Sequence, residues 1–518
     1  MAVNYDPFGE FVKFAQMMGK SWKFGSEIAR KRRASRERDE AAREFGAEVG
    51  DAVEAAIRAG QNPQPILEHA RRSKLEAERR EKLLLNPPPL HGSATWATGA
   101  DLRQLLKGRE AFDTPSSILL GSYLSQGGSD PDGFVHWDDD GHLLTVAPTR
   151  TGKAVTTIIP NLLRYRGSTV VIDPKGELYA ATSKWRAANV GPVFRIAPFD
   201  KGTNPKTARF ARHGFNPLAR VTAQSDARSL AEQMFPRDPK SSEFFSEDAV
   251  AFVTALILFV LDEAPPERRN LAAVRQTTAL PIPEFKKVVE RMARSRLSSV
   301  ADAANNVLGK SGDRGLPNLR DTLHSKLSLW SDDAIQDNVK RNDVVFESLK
   351  DRPATVYLEV PFHLIKTYSP WLRIVLKSAL DAMLANPAEP EIPVLFVLDE
   401  FLALGPFPEF RDAIRTHAGA GVRLWFFLQD MASLEEYYPG NSWKPFLNCS
   451  VKQFFGTDDP FTADLIGKYL GTATVAYRST NAGGNVSASG PKGWGSEGSN
   501  ASVSMSSSES IQFAGRPL

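Results

Sequence analysis

The sequence predicts an α/β protein with a mostly parallel sheet, interrupted by an all-α insertion and preceded by a helical extension. Three observations point there. Short apolar runs ending in turns or polar residues recur at 143–147, 168–173, 354–360, 394–399 and 423–429. Helix-prone stretches separate them, and such alternation reads as parallel strands covered by helices. Between 240 and 345 the strand signal nearly vanishes, and apolar and charged residues mix at helical spacing, as in Phe285–Leu297 and Leu319–Trp330. Before residue 86 the chain is rich in Ala, Glu and Arg, and it closes on Asn86-Pro-Pro-Pro89, where proline cannot continue a helix. The expected division is a helical basic extension at 1–88, a discontinuous α/β domain at 89–238 and 346–518, and an inserted all-α domain at 239–345. A Gly/Ser-rich stretch at 480–510 is expected to be a flexible loop, because residues 483–509 are more than half Gly and Ser.

The element boundaries carry the chemistry. Leu143-Leu-Thr-Val-Ala147 is a buried strand that runs into Ala147-Pro-Thr-Arg-Thr-Gly-Lys-Ala154 and then an apolar helix. Strand, turn and helix in that order are the setting of a phosphate loop, where backbone N–H groups and a lysine converge on polyphosphate. Gly152 would let the backbone approach the phosphates and Lys153 would reach the β/γ oxygens. Ala154 stands where a Mg²⁺-binding hydroxyl is usual, so Thr149, Thr151, Thr156 and Thr157 are candidates to replace it. An ordinary strand-turn-helix is the competing reading of this fragment alone. The run Val394–Leu398 delivers Asp399 and Glu400 to the end of a second buried strand. There the first acid would hold Mg²⁺ and the second would polarise an attacking water. Gln429 ends the strand after it and would sense a γ-phosphate or orient water, or else be a loop amide. Asp173-Pro-Lys-Gly-Glu177 also falls at a strand end, where a turn is an adequate explanation.

Composition sets the bounds. The 518 residues (57.0 kDa) suit two or three domains, or one large domain carrying an insertion. With 42% hydrophobic and 24% charged residues, wholesale disorder is excluded. A single cysteine, Cys449, excludes a disulfide framework and a Cys-based zinc site, and fits a reducing compartment. The net charge of +3 arises entirely within residues 1–85, which hold 17 basic and 14 acidic side chains. The chain is therefore not a globally basic nucleic-acid coat, and charge-driven contacts have to be local. The longest apolar run, Ala249–Leu261, has 13 residues against about 20 needed to span a bilayer, and a buried helix is expected. No secretory signal is expected at the N-terminus. Arg30–Arg38 holds six basic side chains and reads as a solvated helix face or as a patch for anionic lipid or nucleic acid. Phe8, Phe11, Phe14, Met17, Met18 and Trp22 precede it near helical period, as in an interfacial helix or a docking helix for a partner.

Eight strings in order resemble the coupling proteins of type IV secretion and bacterial conjugation, the TraG/VirD-type group. They are His91–Ala97, Ala147–Lys153 into Ile159–Leu163, Val171–Leu178, Phe215–Leu218, Thr355–Leu358, Leu398–Gly405, Leu428-Gln429, and Phe455–Asp459 with Thr462-Ala463. The resemblance implies a RecA-like P-loop NTPase domain with an inserted all-α domain that contacts substrate. It implies ATP and Mg²⁺ as ligands, a homo-oligomer (a hexamer), and delivery of single- or double-stranded DNA, relaxase or effector proteins to a secretion channel. Residue by residue, nucleotide binding falls to Thr149, Arg150, Thr151, Gly152, Lys153, Ala154, Val155 and Asp399, the metal to Asp399 and Thr156, and catalysis to Glu400 and Gln429. The family's trans-acting arginine stands three residues before the glycine matching Gly421. Here that position is Ala418, and Arg415 is the nearest candidate. Such a finger contributes on the order of 10³–10⁵ in rate. The family usually begins with transmembrane helices. Here membrane attachment would fall to residues 8–38 or to a partner, giving a cytoplasmic protein or one peripheral at the inner membrane. Arg516-Pro-Leu518 looks like the start of a further family strand and helix. A nucleotide-gated adaptor with little turnover and a soluble DNA-translocating ATPase of a mobile element are the alternative readings.

Overall fold

The computed structural model describes residues 7–107, 114–124, 133–200, 211–235, 243–309, 315–489 and 500–517. They group into two compact units, Ala97–Leu465, and Met1–Trp96 with Ile466–Leu518.

In the larger unit, β1 (Leu106–Lys107), β2 (Ile118–Tyr123) and β3 (Gly133–Trp137) form a small antiparallel sheet in the order β1-β3-β2. The main sheet is built from β4 (Leu143–Val146), β5 (Thr169–Ile172), β6 (Val193–Ile196), β7 (Thr355–Leu358), β8 (Val394–Leu398), β9 (Val422–Leu428) and β10 (Val451–Phe454). It has seven strands in the order β10-β4-β9-β8-β5-β7-β6, and every pairing is parallel. Strands β4, β5, β7, β8 and β9 are buried at every position, which is why they read as unbroken apolar runs. The edge strands β6 and β10 are only partly buried. Because all seven strands run the same way, the residues following each of them gather along one edge of the sheet.

From Glu243–Glu263 to Asp333–Val339 the described elements are helices, with no strand among them. The apolar run 249–261 lies in the first, where Phe252, Val253, Leu256 and Ile257 are fully buried. Among the described residues no helix is long and apolar enough to cross a membrane.

The helix that carries the phosphate-loop lysine is pinned by two buried polar side chains. Asn161 donates from Nδ2 to Leu119 O and Thr157 O, and its Oδ1 accepts from Leu119 N, each at 2.8 Å. The amide thus behaves like a further strand residue paired to β2. Arg186, from the helix Glu177–Asn189, donates to the carbonyls of Leu162, Tyr165 and Gly167 and to the hydroxyl of Thr355. Burial pulls its pKa down to about 10, so it stays charged at neutral pH.

In the smaller unit, helices Pro7–Phe45, Ala47–Arg58 and Gln64–Leu85 pack around Ala34, Ala41, Val53 and Ile57. Gly50 permits the closest approach, since a Cβ there would lie 2.7 Å from Ala42 Cβ and 2.8 Å from Arg38 O. The basic run is not an unopposed patch. Lys31 pairs with Glu27, Arg33 with Glu37, Arg36 with Glu40, and Arg38 with Asp51 and Glu54. The Phe/Met/Trp positions 8–22 fall on the first helix, but their side chains lie outside the described residues.

Two expectations from composition change here. Residues 480–489 and 500–510 are not loop. They belong to β11 (Thr472–Ser489) and β12 (Asn500–Pro517), which pair antiparallel over 18 residues each without a register shift. Small side chains do not preclude strands when a partner strand satisfies the backbone, and composition alone does not show that partner. Residues 490–499, at the centre of the expected loop, lie outside the described residues. The ribbon also does not extend the parallel sheet, to which residues up to 518 were assigned. It clusters with the N-terminal helices, and β11 meets residues 92–94 through Ala94 N to Thr472 O and Thr474 N to Gly92 O.

Asn161→Ala removes three buried hydrogen bonds and leaves the Leu119 N–H and C=O unsatisfied. It is expected to lower unfolding free energy by about 2–4 kcal/mol, read from the midpoint and slope of urea denaturation. A change under about 0.5 kcal/mol would mean that these bonds are replaced locally.

Candidate nucleotide site

The loop between β4 and the next helix closes on itself. Ala147 N donates to Leu428 O, keeping the loop beside β9. Thr151 Oγ1 donates to Pro148 O at 2.8 Å, and the amides of Val155 and Thr156 both donate to Gly152 O at 2.9 Å. Arg150 (φ 65°) and Gly152 (φ 81°) are left-handed, a conformation natural to glycine and strained for arginine. Residues Ala154–Ile158 form one π-helical turn, in which Ile159 N donates to Ala154 O. Pro160 lacks the N–H that would continue the ordinary ladder, and the wider turn accommodates it.

Lys153 reaches from this loop across β9 to the end of β8. Its Nζ lies 2.6 Å from Glu400 Oε1 and 2.9 Å from Asp399 Oδ1. Glu400 also accepts from Gln429 Nε2 at 3.3 Å, so four groups from three loops form one cluster. Glu400 has φ 52°, a left-handed backbone that costs on the order of 1–3 kcal/mol for such a residue. This kink follows β8 directly and turns consecutive acids toward one lysine. Burial pulls the Lys153 pKa down, but Asp399 and Glu400 together outweigh it and the net shift is upward. Burial raises the Asp399 pKa despite the lysine.

The remaining expected residues fall less centrally. Thr149 and Arg150 are exposed on the loop, and Val155 is 70% exposed beside it. Ala154 begins the π turn and offers no hydroxyl. Thr156 Oγ1 donates its proton to Gly152 O at 3.0 Å, which leaves its oxygen lone pairs available. Arg415 lies in the last turn of the helix Pro408–Thr416, exposed and outside the Lys153 cluster. For Mg²⁺, the donor set fits through Asp399. Its buried Oδ1 is close to Lys153 but receives no well-aligned hydrogen bond, which leaves a hard oxygen ligand beside the loop. Mg²⁺ is commonly held by one or two carboxylates plus water and phosphate oxygens. Accordingly, no cluster of three or more His, Cys, Asp or Glu suited to a metal occurs among the described residues.

The structure brings Asp173, read from the sequence at a strand end, beside the cluster and adds Glu359, which sequence reading passed over. Register aligns Ile172 with Leu398 and with Leu358, so Asp173, Asp399 and Glu359 stand side by side at the ends of β5, β8 and β7. Glu359 is neutralised by a two-pronged contact from buried Arg195, at 2.8 and 2.7 Å. Asp173 is 2% exposed, and its Oδ2 accepts from Tyr179 N at 2.7 Å, the start of the following helix. Burial, reinforced by Glu359 and Asp399, pushes its pKa up to about 7 against hydrogen bonds that lower it. The sequence signal was there, since each of three buried runs is followed at once by an acid.

A parallel sheet with a phosphate loop facing an acidic strand end defines a RecA-like P-loop NTPase fold. The chain belongs to the family described as "Type IV secretory system Conjugative DNA transfer", which matches residues 107–518. It is 29% identical over 409 residues to Protein VirD4 of Agrobacterium fabrum, covering 76% of this chain and 58% of that protein. It is 24% identical over 440 residues to the conjugal transfer protein TraG of Escherichia coli, covering 77% of this chain and 67% of that one. The chain thus spans little more than half the length of the VirD4 relatives it matches. Solved structures of the plasmid coupling protein TrwB share the fold. One in complex with the ATP analogue ADPNP aligns at TM-score 0.51 and 16% identity, covering 74% of this chain and 84% of that one. Another, in complex with ADP and Mg²⁺, aligns at TM-score 0.50.

Asp173 has a pH signature. Its pKa is raised from 3.8 to about 7 on folding, so the folded chain holds a proton that the unfolded chain releases. Its contribution therefore falls as pH rises from about 4 to about 7 and is flat above. Asp173→Asn keeps an acceptor for Tyr179 N and is expected to flatten that part of the stability–pH curve. Parallel curves for the two proteins over that range would refute a raised pKa.

Proposed function

We propose that the chain is the ATP-driven coupling protein of a type IV secretion system, binding ATP with Mg²⁺ and delivering DNA, relaxase or effector substrates to the channel as a hexamer. The observation that carries this reading is the Lys153–Asp399–Glu400–Gln429 cluster, in which a phosphate-loop lysine is held by acids that would release it to a nucleotide. The nucleotide complexes of TrwB and the conjugal transfer in the name of TraG support it.

On this reading the loop amides of 149–155 and Lys153 take the polyphosphate. Lys153 exchanges one set of anions for another, so the site needs no new buried charge. Asp399, freed from the lysine, would hold Mg²⁺, which would supply neutralisation of the polyphosphate charge when bound. Glu400, freed likewise, accepts a proton from the attacking water, and Gln429 orients Glu400 or that water. Arg415, exposed at a helix end, would reach the nucleotide of a neighbouring subunit. The helices at 239–345 would receive substrate, and residues 8–38 would make any peripheral contact with the inner membrane. The adaptor reading draws on Ala154, which removes a metal-binding hydroxyl, and on Ala418, which stands where the family carries its trans-acting arginine.

Turnover measured with and without single-stranded DNA separates the two. A motor is expected to turn over faster with DNA. Lys153→Ala should weaken nucleotide binding at least about tenfold, since it removes a charge-assisted contact. Glu400→Gln should bind normally and lose about 10²–10⁴ in turnover. Tight ATP binding without turnover under any condition would favour the adaptor. Arg415→Ala should leave nucleotide affinity intact while cutting turnover about 10³-fold or more; unchanged turnover would remove it from the site.

A further inference from the structure

We infer that Lys175 is a second cation of the nucleotide site, contacting the terminal phosphate of ATP when Lys153 turns from the acids to the polyphosphate. The inference rests on the nucleotide-binding reading above.

Lys175 belongs to the string Asp173-Pro-Lys-Gly-Glu177 that follows β5. Its backbone is held from several directions. Asp173 N donates to Leu358 O at 2.9 Å, continuing the ladder to β7, and Asp173 Oδ2 accepts from Tyr179 N at 2.7 Å. Gly176 N donates to Asp173 O at 3.2 Å and closes the turn, with Gly176 at φ 67°, a left-handed conformation that glycine adopts freely. The ring of Pro174 restricts the backbone just before the lysine. The side chain is not held in the same way. Lys175 is exposed, and among the described residues it makes no hydrogen bond or ion pair.

Strand order fixes where this lysine stands. β5 pairs with β8 on the side away from β9 and β4, and Ile172 is level with Leu398. The turn after β5 and the acids after β8 are therefore neighbours at one edge of the sheet. Burial raises the Asp399 pKa, and the charge of Lys175 opposes that rise in the same sense as Lys153 does. In strand order, the phosphate loop and Lys175 lie on opposite sides of the acids. A polyphosphate held by the loop would bring its far end, the terminal phosphate, toward Lys175.

Charge balance supplies the reason for a second cation. Lys153 faces Asp399 and Glu400. Once it turns to the phosphates, both acids stand beside a triphosphate with one cation fewer. Arg195 cannot take its place, because it is buried and engaged by Asp200 and Glu359. Lys175 has no such commitment. An ammonium on a flexible stem can meet a phosphate without a preset geometry. ADP lacks the terminal phosphate, so this contact would separate ATP from ADP.

Calorimetric titration of the full-length chain with a non-hydrolysable ATP analogue and with ADP tests this. Lys175→Ala is expected to weaken binding of the analogue at least about tenfold and of ADP less than about twofold, because one charge-assisted contact to the terminal phosphate is lost. Lys175→Arg should hold the analogue within about threefold of the parent, since the charge is kept. The loss in Lys175→Ala should persist without Mg²⁺. A loss seen only with Mg²⁺ would mean that Lys175 acts through Asp399, and would overturn the contact. Equal losses for the analogue and ADP would overturn it as well. A parent that binds neither nucleotide would overturn the nucleotide reading and this contact with it. A parent that binds both, beside an unchanged Lys175→Ala, would overturn the contact alone.

Discussion

Lys153 held between two carboxylates at the tip of another strand is the contact on which the site depends. It joins the loop after β4 to the end of β8 across the intervening β9, so it exists only if the strand order and register are right. Each partner is costly to bury alone. A half-buried lysine loses hydration, and Asp399 is raised by burial even with the lysine beside it. Together they form a cluster in which the acids offset the burial of the lysine and the lysine offsets their charge. The left-handed backbone at Glu400 is the local cost of presenting consecutive acids to one cation.

Around that contact the sheet acts as a collector of charge. All-parallel strands bring Asp399, Asp173 and Glu359 into one row, and the protein handles each acid differently. Lys153 pairs with Asp399, buried Arg195 grips Glu359, and Asp173 accepts a helix amide and keeps its proton to near neutral pH. Three neighbouring carboxylates with three solutions limit the negative charge beside a place where phosphates would enter. Behind the row, Asn161 and Arg186 hold the loop's helix against β2 and β7. The lysine is thus aimed by buried polar side chains as well as by the loop.

The strands, their burial on both faces, the phosphate loop and the Asp-Glu strand end were all readable because each is a local pattern. An unbroken apolar run followed by a turn or an acid signals a strand covered on both sides, and β4, β5, β7, β8 and β9 obeyed that rule. The Gly/Ser-rich tail was not readable in the same way. Serine and alanine have weak strand preference, and what holds 472–489 as a strand is a partner 11 to 45 residues further along the chain. The basic run at 30–38 left two readings open, a solvated helix face and a patch for anionic partners. Most of its neutralising carboxylates sit one helical turn away, but those facing Arg38 come from the next helix.

The sequence by itself determined the five fully buried strands of the main sheet and the identities of the lysine and the paired acids, because these follow from unbroken apolar runs and from chemistry at strand ends. Only the tertiary structure decided which strand ends are neighbours. It brought Asp173 and Glu359 into line with Asp399, turned Thr156 onto Gly152, left Arg415 outside the cluster, and moved the final ribbon out of the sheet. The physical reason is that register and proximity depend on contacts between residues up to hundreds of positions apart, and no window of sequence contains both partners.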